Sequence, residues 1–132
     1  MKTVGFDTNV LVTLKIGRQP GFSKAKTCLE DCIKGEIKIF IPLPAFLETE
    51  WVLRSFYKQP KEKIVEFFEE LTLIENVFIT NKSNVLFALN LYKYSKKISF
   101  TDCLILTQIK DQNVDKFLTF DENLLKLYQS LI

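Results

Sequence analysis

Short runs of β-branched and aromatic residues alternate along this chain with longer stretches in which apolar residues recur every three or four positions, and this alternation limits the fold more than any other feature. Lys2 to Asp7, Ile37 to Ile41, Val77 to Thr80 and Phe117 to Thr119 read as strands. Phe22 to Ile33 carries apolar residues at helical spacing, with Ser23 placed to cap its start and Gly35 its end. Pro44 suits the first turn of a helix running to about Tyr57. Beyond the break at Pro60, Lys61 to Leu71 is amphipathic, and Val85 to Tyr94 is a mostly apolar helix with Ser83 as its cap. Thr101 to Gln112 and Glu122 to Leu131 complete the set. Strands separated by helices are best satisfied by an α/β fold, a mostly parallel central sheet flanked by helices.

A chain of 132 residues, 47% of them hydrophobic and with only four Gly and four Pro, has the size and composition of one domain spanning 1–132. No repeat, linker or change of composition divides it. The longest stretch without charge, Ser83 to Tyr92, is about half of what a bilayer span needs, and the N-terminus shows no basic-then-apolar leader, so no membrane association is expected. Cys28, Cys32 and Cys103 fit neither a disulfide framework nor a paired zinc motif, which points to a reducing cytoplasm. Cys28 and Cys32, one helical turn apart on an apolar face, read as small buried hydrophobes.

The chain has no histidine. That removes the commonest general base, the histidine-dependent triads and any imidazole zinc site, so catalysis must rest on carboxylates. In an open parallel sheet, ligands bind beyond the carboxyl ends of the strands. Asp7 stands there, followed by the hydrogen-bonding Thr8 and Asn9, and Asp121 ends Leu118-Thr119-Phe120-Asp121 in the same way. Asp102 falls in the first turn of its helix, where the macrodipole alone would favour an acid. Glu50 precedes Arg54 by four residues and reads as half of an exposed ion pair, whereas Glu48 has no basic residue three or four positions away and neighbours Ala45, Trp51 and Val52. An unpaired acid on an apolar face requires compensation. Gathered in one cleft, Asp7, Glu48, Asp102 and Asp121 would repel one another unless a divalent cation neutralised them, and hard oxygen donors favour Mg²⁺ or Mn²⁺. Such a cleft suits hydrolysis of phosphodiesters by a metal-activated water.

These residues lie in four ordered motifs: Phe6-Asp7-Thr8-Asn9-Val10, Leu47-Glu48-Thr49-Glu50-Trp51-Val52-Leu53-Arg54, Phe100-Thr101-Asp102-Cys103-Leu104-Ile105 and Leu118-Thr119-Phe120-Asp121. Their order and spacing, over nearly the whole chain, resemble those of PIN-domain nucleases and in particular of VapC-like toxins. The resemblance implies a PIN-like fold, an endoribonuclease with a Mg²⁺ or Mn²⁺ site on Asp7, Glu48, Asp102 and Asp121, and polar support from Asn9 and Thr119. It further implies a cytoplasmic toxin of a toxin–antitoxin pair, a small antitoxin protein as partner, and a homodimer. The chain departs from the family pattern at Pro42-Leu43-Pro44 and at Leu106 and Thr107, which bear on packing and on the pocket wall rather than on the acids.

Charge adds little, since 18 Lys and Arg against 16 Asp and Glu leave a net +2. Setting the four acids aside leaves 18 basic residues against 12 acidic ones, a surface that RNA phosphates would tolerate. Lys15 and Arg18, in the loop after the first strand, and Lys58 are candidate phosphate contacts, although simple solvation is the commoner role of a surface cation. Trp51, Phe56, Tyr57, Phe67 and Phe68 are candidates either for base stacking or for core and dimer packing. Two other readings compete: a catalytically silent PIN-like module that binds RNA or protein, and a phospho-receiver-like switch, which would need an acceptor after the middle strand where Ile41-Pro42-Leu43 offers none.

Overall fold

The computed structural model describes residues 1–132. Its internal contacts divide the chain into two compact units, Met1–Lys82 and Ser83–Ile132.

The first unit holds three strands, β1 (Lys2–Gly5), β2 (Ile37–Ile41) and β3 (Val77–Ile79), in one parallel sheet of order β1-β2-β3. Between them run α1 (Thr8–Ile16), α2 (Gly21–Ile33), α3 (Leu43–Ser55) and α4 (Lys61–Leu73). The α/β class and parallel pairing expected from the alternation are both present. The β1 ladder continues one residue past the strand, because the Phe6 N–H donates to the Phe40 carbonyl at 2.9 Å. Alternation sorts the sheet into two faces: Ile39, Ile41, Val77 and Ile79 are buried, while Phe40 and Phe78, which pair in register on the other face, remain exposed. Helix α2 packs on β2, α4 on β3, and α1 lies against both α2 and α3.

Helix α1 stands where the sequence predicts a loop; Lys15 lies in its last turn and Arg18 just beyond. The β-branched Val10, Val12 and Thr13 weaken its propensity, and its ends supply what the interior lacks. Asp7 caps the start, and Gly17, with φ of 80°, closes the end by donating its N–H to the Thr13 carbonyl. Ser23 does not cap α2: the helix begins two residues earlier, after Pro20, and the Ser23 hydroxyl bonds instead to the Gln19 side chain. The expected stop at Gly35 is present, with φ of 82°. Pro44 sits in the first turn of α3, where its missing N–H is harmless. Helices α3 and α4 meet through the edge-to-face pair Phe46 and Phe68, 4.9 Å between ring centroids.

The second unit comprises α5 (Lys82–Tyr94, which starts at the boundary), α6 (Phe100–Asp111) and α7 (Glu122–Leu131). Ser83 lies inside α5 rather than capping it. Ser99 caps α6 by accepting the Asp102 N–H at 3.0 Å. Leu106, Leu124 and Tyr128 form its small core with Ile109, Phe117 and Leu131 against them. No strand forms at 117–119, contrary to the sequence reading. Local contacts hold that segment: the Phe117 ring packs on Tyr128 at 5.0 Å, and the Thr119 hydroxyl accepts the Asp121 N–H at 3.1 Å. Leu118 and Phe120 are left exposed. No helix of the structure is long and apolar enough to cross a membrane.

Of the cysteines, Cys32 and Cys103 are buried and Cys28 is half-buried. Burial raises the thiol pKa of both Cys28 and Cys32, with Asp31 adding to the rise at Cys28. Both stay neutral thiols at physiological pH, in keeping with a packing role.

Candidate functional site

Asp7 lies just past the carboxyl end of β1 and caps α1, its Oδ1 accepting the Val10 N–H at 3.1 Å. The cap fixes the carboxylate and turns it toward the positive end of the α1 dipole, while the side chain stays exposed to solvent. Asn9 is exposed in the first turn of α1, and Thr8 is half-buried. Glu48 projects from the second turn of α3, exposed and without a cation one turn away along the helix. Both belong to the first unit, in which α1 and α3 pack side by side.

The two glutamates of α3 exchange the environments expected for them. Glu50 is only 2% exposed, and its carboxylate takes the Arg54 guanidinium at 2.7 Å (Nε to Oε2) and 3.4 Å (Nη2 to Oε1). It is the buried half of a part-buried pair rather than of an exposed one. The inward face of α3 is set by Ala45, Phe46, Thr49, Glu50 and Leu53, at the three-and-four spacing of one stripe. Glu48 therefore points outward, in company with Trp51, which is itself 57% exposed. Burial does not force a counter-ion on Glu48; its availability to a ligand comes from exposure.

Thr49 lies on the inward face with its Oγ1 buried and without a hydrogen-bond partner. A buried hydroxyl left unsatisfied costs about 1–3 kcal/mol, and valine keeps the shape without the polar atom. Thr49→Val is expected to raise the stability of the protein by roughly 1 kcal/mol, read as a higher urea midpoint at unchanged slope.

In the second unit, Asp102 occupies the first turn of α6, half-buried, and Asp121 caps α7 by accepting the Leu124 N–H on Oδ1 at 3.1 Å. Thr119 holds the Asp121 backbone N–H through the 3.1 Å bond described above, and not the carboxylate itself. Helices α6 and α7, which carry the two aspartates, pack on one another.

No group of three or more His, Cys, Asp and Glu side chains stands together closely enough to hold a metal ion. Two cavities lie within the units. One of about 460 Å³ runs between β1 and α2, lined by Lys2, Val4, Lys24, Thr27, Cys28 and Asp31 among others; one of about 440 Å³ in the second unit is lined by Lys110, Asp115, Lys116 and Tyr128 among others. Neither includes Asp7, Glu48, Asp102 or Asp121. Among the candidate stacking aromatics, Phe68 is fully buried, Tyr57 and Phe67 are half-buried, and Trp51 and Phe56 are exposed.

Compared with known proteins, residues 5–129 match the profile of the family described as the PIN domain. No curated protein and no solved structure matches the chain.

Proposed function

Given that this chain belongs to the PIN domain family, whose members are generally nucleases, we propose that it is a Mg²⁺- or Mn²⁺-dependent endoribonuclease and the VapC-like toxin of a toxin–antitoxin pair. The observation that carries the reading is the state of the four acids. Asp7 and Asp121 each commit Oδ1 to a helix cap and leave the second oxygen outside it, and none of Asp7, Glu48, Asp102 and Asp121 takes part in an ion pair. Four carboxylates without histidine are a hard donor set, which fits Mg²⁺ or Mn²⁺ better than zinc. The resemblance to the family, rather than any grouping of side chains in the structure, is what assigns the ion to Asp7, Glu48, Asp102 and Asp121.

Once bound, a divalent ion supplies an acidified water and neutralises charge on the phosphodiester. The chain's own contribution is orientation. The cap bond to Val10 fixes the Asp7 rotamer, and the cap bond to Leu124 together with the Thr119 hydroxyl fixes Asp121, so both carboxylates are preset before substrate arrives. Asn9, exposed in the first turn of α1, is the remaining polar group of this set. A toxin role brings with it a small antitoxin that blocks the acids, a homodimer and a cytoplasmic site of action.

The test is cleavage of single-stranded RNA by the purified protein with Mg²⁺, with Mn²⁺ and in excess EDTA. Cleavage with either ion and none in EDTA is the expected result. Cleavage that persists in EDTA overturns the metal-dependent reading, and tight RNA binding without turnover at any divalent concentration replaces it with a silent binding module. The toxin role is read separately, from growth arrest on expression and its relief by the product of a short adjacent reading frame.

A further inference from the structure

Trp51 is the only tryptophan of the chain, and the structure leaves it 57% exposed. Aromatic side chains of this size ordinarily bury 150–250 Å². An indole kept in water on a regular helix therefore has an unexplained face. Its position gives that face a context. Trp51 follows Glu48 by three residues on α3, so the two side chains share one side of the helix, about 4.5 Å apart along its axis and with Cβ atoms roughly 5–6 Å apart. Both are exposed, while the opposite stripe of α3, from Ala45 to Leu53, is buried. The other exposed aromatic of this region, Phe56, lies beyond the last residue of α3, about 12 Å further along the axis than Glu48, with its ring against Tyr57 at 4.9 Å.

We infer that Trp51 binds the RNA substrate by stacking on an unpaired base next to the scissile phosphodiester, with Glu48 one turn away on the same helix face. The inference rests on the endoribonuclease reading and gives it a substrate-binding residue. A base and its phosphate are joined through one ribose, so a base seated on the indole brings its phosphate into the neighbourhood of Glu48. Every base has a π-face, hence the contact selects single-stranded RNA without selecting sequence.

Because the chain has one tryptophan, its emission reports the surroundings of this side chain alone. Stopped-flow mixing of the wild-type protein with a single-stranded oligoribonucleotide in Mg²⁺ is expected to quench that emission before turnover. Trp51→Ala is expected to raise KM between about fivefold and a hundredfold at nearly unchanged kcat, and Trp51→Phe, which keeps a smaller ring, to fall between. The inference is overturned by unquenched emission at RNA concentrations that saturate cleavage, or by a KM for Trp51→Ala within twofold of wild type. It is equally overturned if Trp51→Ala leaves KM alone and converts a dimer to a monomer in sedimentation, which would assign the indole to a protein interface. If the protein cleaves no RNA at all, the endoribonuclease reading fails, whereas quenching by RNA still decides whether Trp51 meets a base.

Discussion

Asp7→Asn is expected to lower RNA cleavage by at least about a hundredfold while leaving the melting temperature almost unchanged. Substituting groups that merely orient metal ligands typically costs 10–100-fold, and removing a ligand should cost no less. The substitution is chosen for what it preserves. Asn caps helices about as well as Asp, and its amide oxygen can still accept the Val10 N–H now held at 3.1 Å. What disappears is one negative charge at the start of α1, worth about 0.3–1 kcal/mol to an exposed helix. Asp121→Asn follows the same logic at α7, where Leu124 is the donor at 3.1 Å. Asp111→Asn, at the far end of α6 and outside every motif, serves as the control and should cleave normally. The measurement is initial cleavage rate beside a thermal melt for each variant. Activity within tenfold of wild type in both Asp7→Asn and Asp121→Asn, with folding intact, would remove these acids from the chemistry.

The capping role of these aspartates shows which parts of the candidate site a sequence makes conspicuous. Asp7 and Asp121 could be found because a carboxylate after an apolar run is conspicuous, and the same side chains turn out to be helix caps, a purely local use. The cap at Asp7 also signals a helix, yet α1 escaped the sequence reading because Val10, Val12 and Thr13 are weak helix formers and its apolar pattern has no clear stripe. Elements with strong local punctuation were readable: Pro44 in the first turn of α3, Gly35 after α2, and α7 from Glu122 to Leu131 with its boundaries intact. Segment 117–119 had strand-like residues without a strand, since a strand exists only through a ladder partner, and Phe117 and Thr119 are engaged by contacts close in sequence.

Glu48 and Glu50 mark the limit more sharply. Two residues apart on one helix, they point in different directions, and a count of apolar neighbours places the unpaired acid on the greasy side. Trp51 and Val52 weighed in that count, although Trp51 is exposed; the buried stripe was instead written at positions 45, 46, 49, 50 and 53, with a glutamate and a threonine among them. Polar residues inside a buried stripe hide it from any reading based on hydrophobicity. The Arg54 guanidinium makes that placement tolerable for Glu50, and only coordinates reveal that its partner reaches in from a side chain still 46% exposed.

Phe68→Ala is expected to cost about 3–5 kcal/mol, a large part of the 5–15 kcal/mol that holds a typical domain folded. Phe68 and Phe46 are both fully buried, and their edge-to-face contact at 4.9 Å joins α4 to α3. Removing the ring leaves a cavity between two helices whose backbones are tied down elsewhere, Pro44 opening one and Pro60 preceding the other, so little collapse can compensate. Phe67→Ala, one residue earlier and half-buried, should cost distinctly less. Urea midpoints for the two variants measure the difference; equal shifts would mean that the α3 and α4 contact does not carry the stability assigned to it. The consequence for function differs in kind from that of Asp7→Asn. Helix α3 carries Glu48 and Trp51 outward on the back of the stripe that Phe46 anchors inward, so Phe68→Ala should lose cleavage in proportion to the unfolded fraction and recover it on cooling toward the stability maximum. Asp7→Asn, folded and inactive, should recover nothing.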